Sequence, residues 1–351
     1  MSRDGWLSEQ LRRYTTEMTT SPLYLLPRNP PAPLPAALPN GLTSDDADRI
    51  AEAIAAARTE STRKIYAYTW GQWARWCAGR GLASLPGDPA ALCAYLTERA
   101  EAGIAVVSLD GACTAIRHVH RMHDLPDPVA SETVRQVRLG LRRTYGTAPR
   151  QLARPLSTDD IRQILDHLDR TTPPGIRDAA IILLGYASAM RRSEIIGLDL
   201  PDVREEPDGV LVTIRKSKTD QEGHGQIVAI ARGKNPTTDP VAAMAAWRKL
   251  RGHQPGPLFT RFYRSQISLE ALAGESVSRI LRRRAKEAGL DAERITAHSL
   301  RAGHATTAAL GGVPLARIAA QTRHKDLSVL VNRYIRPLEA LATTSSRNLG
   351  L

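Results

Sequence analysis

Cysteine is scarce: Cys77, Cys93 and Cys113 are the only three in 351 residues. They are too few and too evenly spread for a disulfide framework or a zinc motif, and read as buried thiols of a reducing cytoplasm. No apolar run approaches the roughly 18 residues of a membrane span, and the opening MSRDGWLSEQ has no secretory core. The sequence lacks a phosphate-cradling GxxxxGKS/T and carboxylate pairs suited to Mg²⁺, so neither a nucleotide nor a metal cofactor is implied. It also lacks an internal repeat. Lysine is rare, since 41 of the 48 basic residues are arginine. Collagen, coiled-coil array, disulfide scaffold and membrane protein are excluded. What remains, 42% hydrophobic and 24% charged, is ordinary for a globular chain, and the length suits two domains.

The formal charge is +12, placed unevenly. Residues 1–40 carry a net +1 and 41–150 a net +2, whereas 151–351 hold 30 basic against 21 acidic residues. A basic second half points to an anionic partner, most often nucleic acid. The plainer account is a general preference for arginine.

Residues 21–40 contain seven prolines and no helical period, so 1–41 reads as an extended or disordered lead-in. Thr43, Ser44 and Asp45 then offer an N-cap to a helix with Ile50 and Ile54 four residues apart. Ser61 opens a second helix in which Tyr66, Trp70, Trp73 and Cys77 form one stripe of a 3.6-residue period. That stripe suits a core better than a base-stacking surface. Asp88-Pro89 starts a third helix, Ser108–Met122 makes a fourth and Ser131–Tyr145 a fifth, stopped at Gly146. The span 42–146 is therefore predicted to be a helical bundle, and the basic, proline-bearing 147–156 a linker.

From 157 to 351 the pattern predicts a mostly helical domain with a small antiparallel sheet. Thr158-Asp159-Asp160 caps a helix. The stretch from Asp178, DAAIILLGYASAM, is apolar almost all round and so central. GVLVTIR (209–215) and QIVAIA (226–231) make a β-hairpin with a long polar tip. Helices resume at Asp239-Pro240, then over 275–288, 298–310, 314–322 and 328–334.

Four pieces of this domain hold the polar residues of interest: Ser188-Ala-Met-Arg-Arg-Ser-Glu194, Lys218 at the hairpin tip, His298-Ser-Leu-Arg301 at a helix start, and His324 with Tyr334 beyond it. Arginine forks match phosphate oxygens bidentately, and helix N-termini favour anions. A lysine on a hairpin can protonate a leaving oxygen. A tyrosine beside arginines and a histidine base can attack phosphorus and form a covalent intermediate.

The ordered set Arg191…Lys218…His298-Ser-Leu-Arg301…His324…Tyr334 resembles the active-site signature of the tyrosine recombinase (phage integrase) family. The resemblance spans about 42–348, because TRKIYAYTWGQWARWC is similar to the family's core-binding domain, and the layout is nearest the Cre and Xer types. The family places its tyrosine nine residues after the His/Trp position, whereas ten separate His324 from Tyr334. Either the turn holds one extra residue or Lys325 is the aligned partner.

The resemblance implies a mainly α, cofactor-free enzyme: a helical core-binding domain and a catalytic domain that clamp double-stranded DNA. Tyr334 would attack the scissile phosphate to give a 3′-phosphotyrosyl link, Arg191 and Arg301 would neutralise its oxygens, and Lys218 would protonate the departing 5′-oxygen. His298 would accept a proton, His324 would hydrogen-bond the phosphate, and Glu194 would orient its neighbours. It further implies a cytoplasmic, nucleoid-associated homotetramer on two sites, exchanging strands through a Holliday junction. A tail near 337–351 would dock on a neighbouring protomer, and a directionality factor could assist a mobile element's integration or excision. Arg279, Arg282, Arg283, Arg284 and Lys286, with Arg142 and Arg143, are candidates for DNA-phosphate contacts; a solvated charged face is the alternative. Lys216 competes with Lys218, Arg192 reads as a surface charge, and His304 as a helix-face residue. Rival activities are a type IB topoisomerase-like or telomere-resolving enzyme, and a DNA-binding architectural protein without catalysis.

Overall fold

The computed structural model describes residues 43–148, 152–215, 217, 225–264, 266–324 and 326–331. Lys216, Lys218, Lys325, Tyr334, the proline-rich lead-in and the C-terminal tail lie outside the described residues. The chain divides into two compact units, Met1–Pro149 and Arg150–Leu351. Among the described residues, no helix is long and apolar enough to cross a membrane.

The first unit is helical. Helix α1 (Ser44–Ala56) is capped by Thr43, with Asp46 closing a capping box. Helix α2 spans Glu60–Ala78, capped by Thr59. Helix α3 (Pro89–Glu101) starts where the Asp88 carboxylate accepts the N–H groups of Ala90 and Ala91, with proline in the first position, where no donor is needed. Helix α4 is Val106–Met122, two residues longer at its start than Ser108 suggested. Helix α5 (Glu132–Tyr145) ends at Gly146, which takes φ 71°, a left-handed conformation that glycine adopts freely. Pairs α2–α4 and α3–α5 pack together. The aromatic stripe is core: Trp70, Trp73 and Cys77 are buried with Leu92, Tyr95, Leu96 and Ile116. Trp73 gives its indole N–H to Ser84 O at 3.0 Å, so its one polar group is satisfied. None of the three is open to a base.

In the second unit, α6 (Thr158–Asp166) is capped by Ser157, one residue before the expected cap, with Asp160 closing the box. Helix α7 (Pro173–Ser188) begins at the Thr172 cap and Pro173, five residues ahead of Asp178. It is apolar all round because it has partners on both sides. Ala180, Ile181 and Leu184 join the core holding Trp247 and Phe259, while Ala179, Ile182 and Leu183 join Ile161, Leu281 and Leu300.

Strands β1 (Val203–Glu206), β2 (Gly209–Ile214) and β3 (Gln226–Ala231) form an antiparallel sheet in that order. Val212 pairs with Val203 on one side and Val228 on the other. After a short helix α8 (Arg192–Ile196) ahead of this sheet, helix α9 (Pro240–Arg251) follows it and packs on α7. A second hairpin, β4 (Thr260–Tyr263) with β5 (Gln266–Ala271), precedes α10 (Gly274–Glu287), α11 (Ala297–Leu310) and α12 (Leu315–Thr322). The sequence reading missed β1, β4 and β5. The stretch read as a linker, 147–156, is built into the second unit from Arg154 onward. Arg154 N–H donates to Arg294 O at 2.8 Å, Leu156 N–H to Ser299 O at 3.2 Å, and the Leu156 side chain is fully buried.

Candidate active site

The site begins where α7 ends. Ser188 Oγ donates to Leu184 O (2.6 Å) and accepts Met190 N–H (3.2 Å). Ala189 turns left-handed at φ 52°, and the chain reverses into α8, whose N-cap is Arg191. Glu194 holds that start together. Its carboxylate accepts the Arg191 backbone N–H at 2.8 Å and the Arg191 guanidinium at 2.8 Å. It is almost fully buried.

Helix α11 supplies the second arginine. Thr296 caps it and Ser299 Oγ accepts the Thr296 N–H in return at 3.0 Å. This places His298 exposed in the first turn and Arg301 fully buried one turn on. One Arg301 nitrogen donates to Ala189 O at 2.6 Å. The other donates to Thr322 O and faces His324 Nε2 at 3.2 Å.

That contact fixes the histidine's tautomer. A guanidinium only donates, so Nε2 must accept and Nδ1 carries the proton. Nδ1–H then donates to Thr322 Oγ1 (2.7 Å), whose own proton goes to Ile318 O (2.7 Å). Burial first, then the charges of Arg301, Arg191 and Arg323, push the His324 pKa down to about 4. The imidazole is neutral near pH 7.

Arg323, between Thr322 and His324, had no place in the sequence reading. It adopts φ 56° and reaches the second Glu194 oxygen at 2.6 Å. Burial pulls the Glu194 carboxyl up, but the Arg323 charge and the Arg191 N–H and guanidinium together leave it below its usual value. The described centre therefore holds three guanidinium groups, one carboxylate and a neutral imidazole. Such a set can grip a phosphodiester and stabilise added negative charge on it. Among the described residues no group of three or more His, Cys, Asp or Glu is placed to hold a metal ion.

Residues 154–340, more than half of the chain, match the phage integrase family. The chain belongs to that family. It is 32% identical over 283 residues to the integrase/recombinase xerD homolog of Selenomonas ruminantium, spanning 80% of this chain and 82% of that protein. Among solved structures, it is similar to the XerH site-specific recombinase bound to a palindromic difH substrate, with a TM-score of 0.59, 15% identity, and coverage of 87% of this chain and 85% of that one. It is also similar to lambda integrase residues 75–356 bound to DNA, with a TM-score of 0.53, 17% identity, and coverage of 83% and 95%. This recombinase thus shares its fold with both and its family with the first relative.

The other arginine and lysine candidates separate into two kinds. Arg282 and Lys286 are exposed on α10, as is Arg279, which donates to Ser276 Oγ at 3.0 Å. Arg283 and Arg284 instead face the fully buried Asp178, at 2.9 and 2.7 Å. Arg284 also pairs with Glu287 and is only 14% exposed. Its charge is engaged inside the protein, which corrects the reading of 282–284 as one phosphate-binding face. In the first unit Arg142 pairs with Asp110 at 2.7 Å and Arg143 is exposed. Arg192 is a surface charge on Glu275. His304 Nδ1 lies 2.8 Å from Tyr186 O, and the Tyr186 hydroxyl is shared between Thr158 and Thr307, each at 3.0 Å. Nothing in the sequence marked Arg323, because its importance comes from the left-handed turn that aims it at Glu194.

Proposed function

We propose that this tyrosine recombinase cuts and rejoins double-stranded DNA at a specific site, with Tyr334 as nucleophile and no cofactor. One observation carries the reading: cationic groups from three separate chain segments converge, with Arg301 3.2 Å from His324 Nε2 and Glu194 joining Arg191 to Arg323, the residue before His324. Convergence of this kind is what a phosphate in transfer requires. The Tyr334 phenol gives its proton to His298 as its oxygen bonds to phosphorus. The P–O5′ bond breaks, and Lys218 protonates the departing 5′-oxygen. Arg191 and Arg301 neutralise the non-bridging oxygens. His324, expected from the sequence to hydrogen-bond the phosphate, instead steadies the Arg301 fork, since Nε2 faces Arg301 and Nδ1 faces Thr322. The 3′-phosphotyrosyl link keeps the phosphodiester's energy, so a 5′-hydroxyl from a partner strand reseals it without ATP.

Exposed Arg279, Arg282, Lys286 and Arg143 would contact DNA phosphates. Four protomers on two sites, tail docking between them, a directionality factor and a mobile-element role complete the proposal.

A nicked suicide duplex tests it. Denaturation-resistant protein–DNA adducts form with the parent and not with Tyr334→Phe. Tight binding without any adduct would leave only a DNA-binding protein.

A further inference from the structure

We infer that Arg323 is a positioning residue for cleavage: it cancels the charge of Glu194, so that Glu194 can fix Arg191 without diminishing the positive charge offered to the scissile phosphate. The inference rests on the phosphoryl-transfer reading above and adds a residue outside the set that the sequence suggested.

Three observations support it. Glu194 is shared, with one oxygen on the Arg191 guanidinium and the other on the Arg191 N–H and Arg323. The carboxylate is nearly inaccessible, so water cannot screen it. The formal charge of the described centre, with His324 neutral, is three arginines against one carboxylate, a net +2. A phosphodiester carries −1, and the pentacoordinate state after attack by a phenolate carries −2. The centre matches the second better than the first, as rate acceleration requires. Without Arg323 the centre falls to +1, and the deficit appears where the extra charge develops.

Stability gives a poor account of the same residue. A buried ion pair rarely gains more than its desolvation costs, and burial pulls the Arg323 pKa below its usual value. Its Nε has no hydrogen-bond partner among the described residues. The backbone is left-handed, a conformation glycine adopts more readily than any other residue. Selection for folding alone favours glycine at this position. The arginine is there for its charge.

Arg323→Gly is the informative variant, because glycine suits that φ and leaves the turn intact. With full-length protein at saturating suicide duplex, single-turnover adduct formation is expected to slow about tenfold or more, with the duplex Kd changed less than about twofold. Arg323→Lys should recover most of the rate. Adding Glu194→Gln to Arg323→Gly should restore rate relative to Arg323→Gly alone, since the uncancelled carboxylate is gone. The deficit should also shrink on a duplex with an uncharged methylphosphonate at the scissile position.

A parent-like rate in Arg323→Gly, or an equal deficit on charged and uncharged duplexes, would overturn the inference. Should Arg323→Gly fold poorly, Arg323→Gln carries the same comparison, because it removes the charge while keeping much of the side chain, and a parent-like rate in it would equally overturn the inference. Parent-like cleavage by Arg191→Ala would instead sink the catalytic reading itself, so the two failures are distinguishable.

Discussion

One guanidinium nitrogen of Arg301 lies 3.2 Å from Nε2 of His324. The contact joins the first turns of α11 to the segment after α12 and makes the histidine an acceptor. Arg301, proposed above as a phosphate-binding group, is thus a buried strut, whereas Arg191 is 16% exposed.

The two arginines should therefore fail differently. Arg191→Ala is expected to abolish adduct formation at a smaller cost in stability, because the buried Glu194 loses one partner but keeps Arg323 and the backbone N–H of residue 191. Arg301→Ala leaves the Ala189 and Thr322 carbonyls without their donor and should also cost about 2–4 kcal/mol of stability. Denaturant unfolding beside the cleavage assay separates them; equal stability losses would contradict the strut.

Protonation of His324 opposes folding. Its folded pKa of about 4 lies below the ordinary value near 6.5. Its contribution is therefore complete above about pH 6.5 and is lost as pH falls toward 4. Between pH 7 and 5 the parent should lose about 1–2 kcal/mol more than His324→Gln, after allowing for solvent screening. Parallel stability curves for the two proteins would refute this.

Gly303 lies two residues after Arg301 against the segment that enters the unit. A Cβ there would stand 2.0 Å from Leu156 O, and backbone cannot yield as a flexible side chain would. Gly303→Ala should destabilise by about 2–3 kcal/mol and reduce cleavage through displacement of α11. Unchanged thermal unfolding would show that the contact relaxes freely.

On α10, Arg282→Ala should weaken DNA binding and lower the slope of log K against log salt by about one, leaving the melting temperature unchanged. Arg284→Ala should do the reverse, because it strips a buried carboxylate of a partner. Loss of stability in both would mean that neither residue addresses DNA.

The capped helices, the central α7 and the β2–β3 hairpin were legible in the sequence because local chemistry fixes them. Asp88-Pro89 and Asp239-Pro240 cap as read, and the Trp70–Trp73–Cys77 stripe faces inward. Strands β1, β4 and β5 were not legible. VREE and TRFY are four residues long, too short for a period to show, and acquire their pairing from neighbours. Arg191, Arg301 and His324 could be singled out as an ordered set. That Arg284 faces Asp178, 106 positions away, and that Arg323 faces Glu194, 129 away, are products of tertiary packing on which spacing is silent.

The Gln321 amide donates to Ala187 O at the end of α7 (3.2 Å) and to Ala229 O on β3 (3.1 Å). A neutral side chain thereby rivets the helix leading to His324 onto both the end of α7 and β3. Loosening that rivet would let helix and sheet drift independently. Position 321 accordingly couples them without altering any ionised group.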